Sequence, residues 1–188
     1  IYMLLNKERL QLGMKKVLYA FSGKKLADKV MYLGKISNEA FSNYIGGQFI
    51  EAIIIGVLCF IGMIILRMPY ALLISVIISV TALIPIFGAF IGTIPSAFII
   101  LIIDPMQAIW FVIFIIVLQQ IEGNLIYPKV VGGSIGLPPI WVILAMVVGG
   151  NTFGLIGILL GIPIFSVIYK VFKEFVDKRL NNKDIKVV

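Results

Sequence analysis

The chain has 188 residues, of which 61% are hydrophobic and 13% charged, whereas a soluble domain carries about 45–50% apolar and roughly 25% charged residues. A chain this short cannot enclose that excess, so its apolar side chains require an apolar solvent, and a soluble enzyme is excluded. The net charge of +7 is concentrated at the ends: residues 1–44 hold eight Lys and Arg against three acids, residues 167–188 hold six against three, and the middle holds only Arg67 and Lys129 against Glu51, Asp104 and Glu122.

Basic residues that flank apolar spans mark cytoplasmic retention rather than nucleic-acid binding, which predicts both ends of the chain on the cytoplasmic side. There is no histidine, so the commonest general base and the commonest metal ligand are missing. The single cysteine, Cys59, lies in an apolar run and reads as a small buried hydrophobe. Nothing in the sequence calls for a catalytic residue, a metal or a cofactor, and no GxxxxGK phosphate loop is present.

In chain order, Ile1-Tyr2-Met3-Leu4-Leu5 resembles the last turns of a membrane helix rather than a signal peptide, so the chain reads as part of a longer protein. Residues 7–44 mix Lys with apolar positions three or four apart, from Leu10 and Met14 to Ile36 and Tyr44, and predict amphipathic helix. A domain map follows: 1–44 as the end of a span plus a basic helical segment, 45–175 as the transmembrane domain, and 176–188 as a cytoplasmic tail.

Residues 49–66 make the first clear span, closed by Arg67, Met68 and Pro69. Residues 70–103 are too long for one ordinary span and are interrupted by Pro85 and Pro95, which predicts two short helices meeting near Pro85. Asp104 and Pro105 mark a turn before a span over 106–121. Residues 122–138, rich in Gly and Pro, predict a loop. The last apolar region, 139–170, is expected to break at Gly149-Gly150-Asn151 into a re-entrant hairpin or a pair of short helices. The fold class is therefore all-α: a polytopic helical membrane protein with broken or re-entrant helices.

Candidate functional residues are the polar ones that membrane segments retain at a cost. Glu122 heads them, since a carboxylate at the bilayer centre costs about 2.5–3.5 kcal/mol and is kept for a partner, an ion or a proton. It sits in the cluster Gln119-Gln120-Ile121-Glu122-Gly123-Asn124 at the end of an apolar helix, where capping is the plainer role. Gln48 and Glu51 open the first span one turn apart; they either favour a helix N-terminus or line a vestibule with Glu122. Pro85 and its neighbour Gly88 predict a broken-helix gate, because a proline break frees carbonyls that only a cavity or protein interior tolerates. Gly92 extends a four-residue glycine spacing, shared by Gly150 with Gly154 and Gly157 with Gly161, that offers small faces for packing within or between subunits. The string Ile-Pro-Ile-Phe at 84–87 and again at 162–165 suggests an internal repeat.

Gly47-Gln48, the run Ile84-Pro85-Ile86-Phe87-Gly88-Ala89-Phe90-Ile91-Gly92, the QQxEGN segment 119–124 with Tyr127-Pro128-Lys129, and Gly132 to Pro139 together resemble the autoinducer-2 exporter family of bacterial membrane proteins. The likeness covers roughly residues 40–175. It implies a full-length protein about twice this size, multi-pass in the bacterial cytoplasmic membrane, that transports a small molecule or ion: autoinducer-2 in some members, sodium (lithium) against protons in others. A further branch resembles sporulation-associated membrane proteins with no assigned substrate, so the expected function is export of a small solute such as autoinducer-2, with antiport or a non-transporting membrane scaffold as the alternatives. Members often carry a second proline where this chain has Ala89. The expected surroundings are a lipid bilayer, a small solute, no nucleic acid and a homo-oligomer. The expected pathway runs past Glu122, Gln119, Gln120, Asn124, Glu51 and Gln48.

Overall fold

The computed structural model describes residues 7–85, 87–132 and 136–181. The expectations for residues 1–6, Ile86, Gly133 to Ile135 and the end of the tail from 182 onward lie outside the described residues. Among the described residues there is helix and no strand: α1 Lys7–Phe21, α2 Lys24–Ile65, α3 Ala71–Ala82, α4 Phe87–Ile103, α5 Pro105–Ile121, two π-helical turns Glu122–Ile126 and Pro128–Gly132, and α6 Pro139–Asn181. Three stretches, Lys24–Ile65, Pro105–Gly132 and Pro139–Leu180, are long and apolar enough to cross a membrane. The protein is an all-α polytopic membrane protein.

The chain divides into two compact units, residues 1–39 and 40–188. In the first, the Tyr19 hydroxyl of α1 donates to the Asp28 carboxylate of α2. That bond, ahead of desolvation and the Asp28 charge itself, holds the phenol above its usual pKa. Lys35 and Glu39 pair one turn apart at 3.9 Å in an exposed position, a geometry that contributes little.

In the second unit, α2 to α5 share one core, in which Ile55, Cys59 and Met63 of α2 meet Ile74 and Ile78 of α3, Ile100 of α4, and Phe111 and Ile115 of α5. Cys59 is fully buried here. Close approach depends on small residues: a Cβ on Gly56 would lie 2.7 Å from the Ser79 Cβ, and one on Gly62 would lie 2.4 Å from the Phe114 ring. Ser79 also donates to the Ala52 carbonyl at 2.8 Å, so its hydroxyl bonds across the α2–α3 contact.

The two short helices expected on either side of Pro85 are α3 and α4. Their 12 and 17 residues span about 18 and 26 Å at 1.5 Å per residue, less than the roughly 30 Å hydrocarbon core. Only one of the two prolines interrupts the chain, because Pro95 lies inside α4. Arg67 and Tyr70, both at positive φ, turn α2 into α3. Asp104 starts α5 by accepting from the backbone N–H groups of Met106 at 2.9 Å and Gln107 at 3.3 Å, with Pro105 in the first turn where its missing N–H costs nothing.

Three expectations change. The span predicted over 49–66 is the end of a single helix that begins at Lys24. The loop predicted over 122–138 is helical as far as Gly132: Gly123 and Pro128 are accommodated by widened π-helical turns, which keep the backbone bonded at membrane depth where a loop would not. The break in α6 falls at Gly154, with φ 59° and ψ −137°, a conformation that strongly favours glycine, and not at Gly149 to Asn151.

The two arms of α6 fold back on each other at Gly154. A Cβ on Gly149 would lie 2.1 Å from the Gly157 carbonyl oxygen, one on Gly157 would lie 1.9 Å from the Gly149 oxygen, and one on Gly161 would lie 2.7 Å from the Ala145 oxygen. Ala145, Met146, Ile158 and Ile162 form a second core with Tyr44, Val131 and Leu137. The glycine faces at 88, 92, 157 and 161 are thus occupied inside the chain. Among the described residues the two Ile-Pro-Ile-Phe strings are not equivalent, since Ile84 and Pro85 of the first lie between α3 and α4 and the second lies within a helical arm.

Candidate functional site

Tyr44, Gln48 and Glu51 follow one another on one face of α2 at the three- and four-residue spacing that stacks side chains along a helix. All three are buried, at 3%, 4% and 1% exposure. Gln48 Nε2 donates to Glu51 Oε2 at 2.7 Å and to the Ala82 carbonyl oxygen at 3.0 Å. Both partners are acceptors, so the amide orientation is fixed and Gln48 Oε1 points elsewhere.

The Ala82 bond ties this face to the proline break. A helix leaves its last four carbonyls without intrahelical partners, and α3 ends at Ala82 because the chain turns through Pro85. The Thr81 oxygen is taken by Ile84 N at 2.9 Å and the Val80 oxygen by Leu83 N at 3.3 Å, while the Ala82 oxygen takes Gln48. Gly88 makes the turn tight enough: its Cβ would lie 2.0 Å from the Thr81 carbonyl oxygen, and one on Gly92 would meet the Thr81 hydroxyl at 2.3 Å. Pro85, Gly88 and Gly92 therefore position the carbonyl that orients Gln48.

From the other side, the first π-helical turn brings Glu122 to within hydrogen-bonding reach of Glu51. Glu122 Oε2 is buried and receives no donor. No ion pair joins Glu51 or Glu122 to a Lys or Arg among the described residues. Tyr127, in the next turn, lies within electrostatic reach of both carboxyls, and Tyr44 within reach of Glu51 and Tyr127. The α2 backbone is close enough for this because Gly47 has no side chain; a Cβ there would stand 3.2 Å from the Val130 carbonyl oxygen.

Two carboxyls facing each other without a cation cannot both be charged at low cost, so the pair favours a shared proton or an added positive charge. Gln48 Oε1 and the Tyr44 hydroxyl are also buried and unpartnered. All are oxygens, the donor type that suits hard monovalent cations and protons.

The remaining expected pathway residues stand apart. Gln120 and Asn124 are exposed and pair with each other: Asn124 Nδ2 donates to the Gln120 carbonyl at 2.8 Å and to its Oε1 at 3.3 Å. Gln119 is half-buried. Tyr44 and Tyr127 join the site although the sequence placed Tyr44 only among the apolar positions of the amphipathic helix and Tyr127 only in a family motif; the signal available was Tyr44 falling one turn before Gln48.

The family model described as AI-2E family transporter matches residues 1–177. The chain belongs to this family. Among relatives of this AI-2E family member, YueF of Bacillus subtilis (strain 168) is 30% identical over 139 residues, covering 74% of this chain and 38% of the relative. YrrI of the same organism is 33% identical over 142 residues, covering 76% and 40%. A protein of Halobacillus andaensis named sodium-lithium/proton antiporter is 28% identical over 153 residues, covering 79% and 42%. The chain thus spans less than half the length of these relatives. No solved structure matches it.

Proposed function

We propose that this chain forms the ion-coupling part of a membrane transporter of the bacterial cytoplasmic membrane, in which Glu51 and Glu122 together hold either a proton or a small monovalent cation. The observation behind this reading is the buried Glu51 carboxyl beside the half-buried Glu122, whose Oε2 is itself buried, with no basic partner paired to either among the described residues. A charge kept in that position without compensation costs several kcal/mol, so something must neutralise it. A proton and an alkali cation are two occupants that oxygen ligands accept.

Alternation between those occupants is antiport of a cation against protons, the activity in the printed name of the Halobacillus relative. Export of a solute such as autoinducer-2, coupled through the same pair, is the second reading, favoured by the family resemblance. In both, Pro85 and Gly88 act as the flexible break: opening the α3–α4 turn would withdraw the Ala82 carbonyl from Gln48 and release Glu51.

The test uses the full-length protein in proteoliposomes. Wild type and Glu122→Gln are compared for sodium- and lithium-driven proton movement and for uptake of labelled autoinducer-2. Proton movement present in wild type and lost in the variant supports antiport, and coupled autoinducer-2 movement lost in the variant supports export. Flux unchanged in Glu122→Gln, or no flux of either kind in folded wild type, removes the reading.

A further inference from the structure

Beside the carboxyl pair lies a second, differently lined space. A cleft of about 260 Å³ is lined by Phe41, Tyr44, Ile45, Gln48 and Phe49 of α2, Leu83 of the α3–α4 turn, and Leu159, Leu160 and Pro163 of α6. Its wall is apolar except where Tyr44 and Gln48 line it. Those two are more than nine-tenths buried, and each has an unpartnered oxygen: the Tyr44 hydroxyl and Gln48 Oε1.

What Gln48 can offer is settled by its other bonds. Its Nε2 is committed to Glu51 and to the Ala82 carbonyl, so toward a ligand the amide has only an acceptor left. Leaving such an acceptor buried and unsatisfied is unfavourable, and an incoming donor recovers part of that. An alcohol or an amine meets the requirement; a bare carboxylate or carbonyl does not.

The volume sets the size of the body. An apolar cavity of about 150 Å³ accommodates benzene, so this one has room for a phenyl-sized group and a short chain. Ile45 and Phe49, which line it, are about half exposed, and apolar side chains at the opening of a membrane protein's cavity suit a lipid-facing entrance. A ligand that partitions into the bilayer can reach the cavity from the side.

We infer that the cavity bounded by Tyr44, Gln48, Leu83 and Leu160 binds a small amphiphile with an apolar, phenyl-sized body and a hydrogen-bond-donating head, amine or hydroxyl, directed at Gln48 Oε1. Glu51 is bonded to the Nε2 of the same Gln48. A bound donor therefore engages the residue that orients one member of the carboxyl pair, which gives the transporter a point where an organic ligand and an ion are linked.

The test is photolabelling at equilibrium, without a gradient, of the full-length protein in vesicles. Three diazirine probes share one phenylethyl body and end in an amine, a hydroxyl or a methyl group; adducts are mapped by mass spectrometry. Adducts are expected at Leu83, Leu159 or Leu160 with the headed probes. Apparent affinity should drop about five- to tenfold in Tyr44→Phe and Gln48→Leu, the loss expected of one buried hydrogen bond, while the methyl probe is unaffected by either substitution. Filling the cavity with Leu160→Trp, or with the milder Leu159→Phe if the first does not fold, should block all three. A preference for the amine probe over the hydroxyl would identify Glu51 as taking part, and equal labelling would assign the head to Gln48 alone; both support the site. Labelling that ignores the head group would mean a crevice for lipid chains, and absence of adducts at the lining residues would mean no site; either overturns the inference. Because binding is read without flux, it can fail while coupling survives, and the reverse.

Discussion

Glu51 of α2 and Glu122 of the first π-helical turn hold their carboxyl groups within hydrogen-bonding reach of each other, and no Lys or Arg is paired with either among the described residues. Residues far apart in the chain have been brought to one buried point on opposite walls. The consequences for activity and stability can be separated by substitution.

If the pair acts as one unit, Glu51→Gln and Glu122→Gln should each reduce cation-driven proton flux to background, and the double variant should be no worse than either single one. Groups that work together are strongly non-additive. Proteoliposome flux measured for all three variants checks this; independent partial losses that sum in the double variant would dissolve the unit.

Gln48→Leu removes the donor to both Glu51 and the Ala82 carbonyl. Stranding two buried acceptors should cost about 2–6 kcal/mol, at roughly 1–3 kcal/mol for each. Thermal unfolding in detergent should show a clearly lowered midpoint, and flux should fall with it. An unchanged midpoint would mean that water replaces the amide.

Gly157→Ala places a methyl 1.9 Å from the Gly149 carbonyl oxygen, whereas Gly46→Ala meets nothing within 4 Å. The first should force the arms of α6 apart, at a cost of about 1–3 kcal/mol or more as in other overpacked sites. The second lies inside α2 and should be neutral or stabilise by up to about 1 kcal/mol through helix propensity. Side-by-side melting curves decide, and equal behaviour of the two would contradict the hairpin packing.

Asp104→Ala strips the carboxylate that caps α5. A loss of about 0.5–2 kcal/mol is expected, with flux per folded molecule unchanged because the cap is remote from the carboxyl pair. Chemical denaturation together with a flux assay normalised to folded protein separates the two effects.

Gly88→Ala would put a Cβ 2.0 Å from the Thr81 carbonyl. The turn must then widen, and the Ala82 carbonyl moves relative to Gln48. Flux should fall more than stability does, because the substitution acts on the position of Gln48 rather than on a large buried area. A stability loss with intact flux per folded molecule would detach the proline break from the site.

Much of this was legible from composition and local chemistry alone. An apolar excess that no short chain can bury dictates a membrane protein. Pro85 dictates a break, since proline lacks the N–H and clashes with the preceding turn. Asp104-Pro105 starts α5 because a carboxylate caps free N–H groups locally. These are decisions made within a few residues, and so a one-dimensional pattern holds them.

Other features were settled only when helices met. Gly123, Pro128 and Gly132 look like loop residues, yet packing against Gly47 and the demand that backbone groups stay bonded in an apolar medium keep 122–132 helical. The α6 reversal falls at Gly154 rather than at Gly149 because Gly149 is needed for contact with Gly157. The meeting of Glu51 and Glu122, and the orientation of Gln48 by Ala82, depend on where two distant helices cross. Sequence by itself determined the solvent, the helices and the residues too polar to be there by accident; the tertiary structure alone decided which of them face one another, because non-local contact is a property of packing and not of spacing.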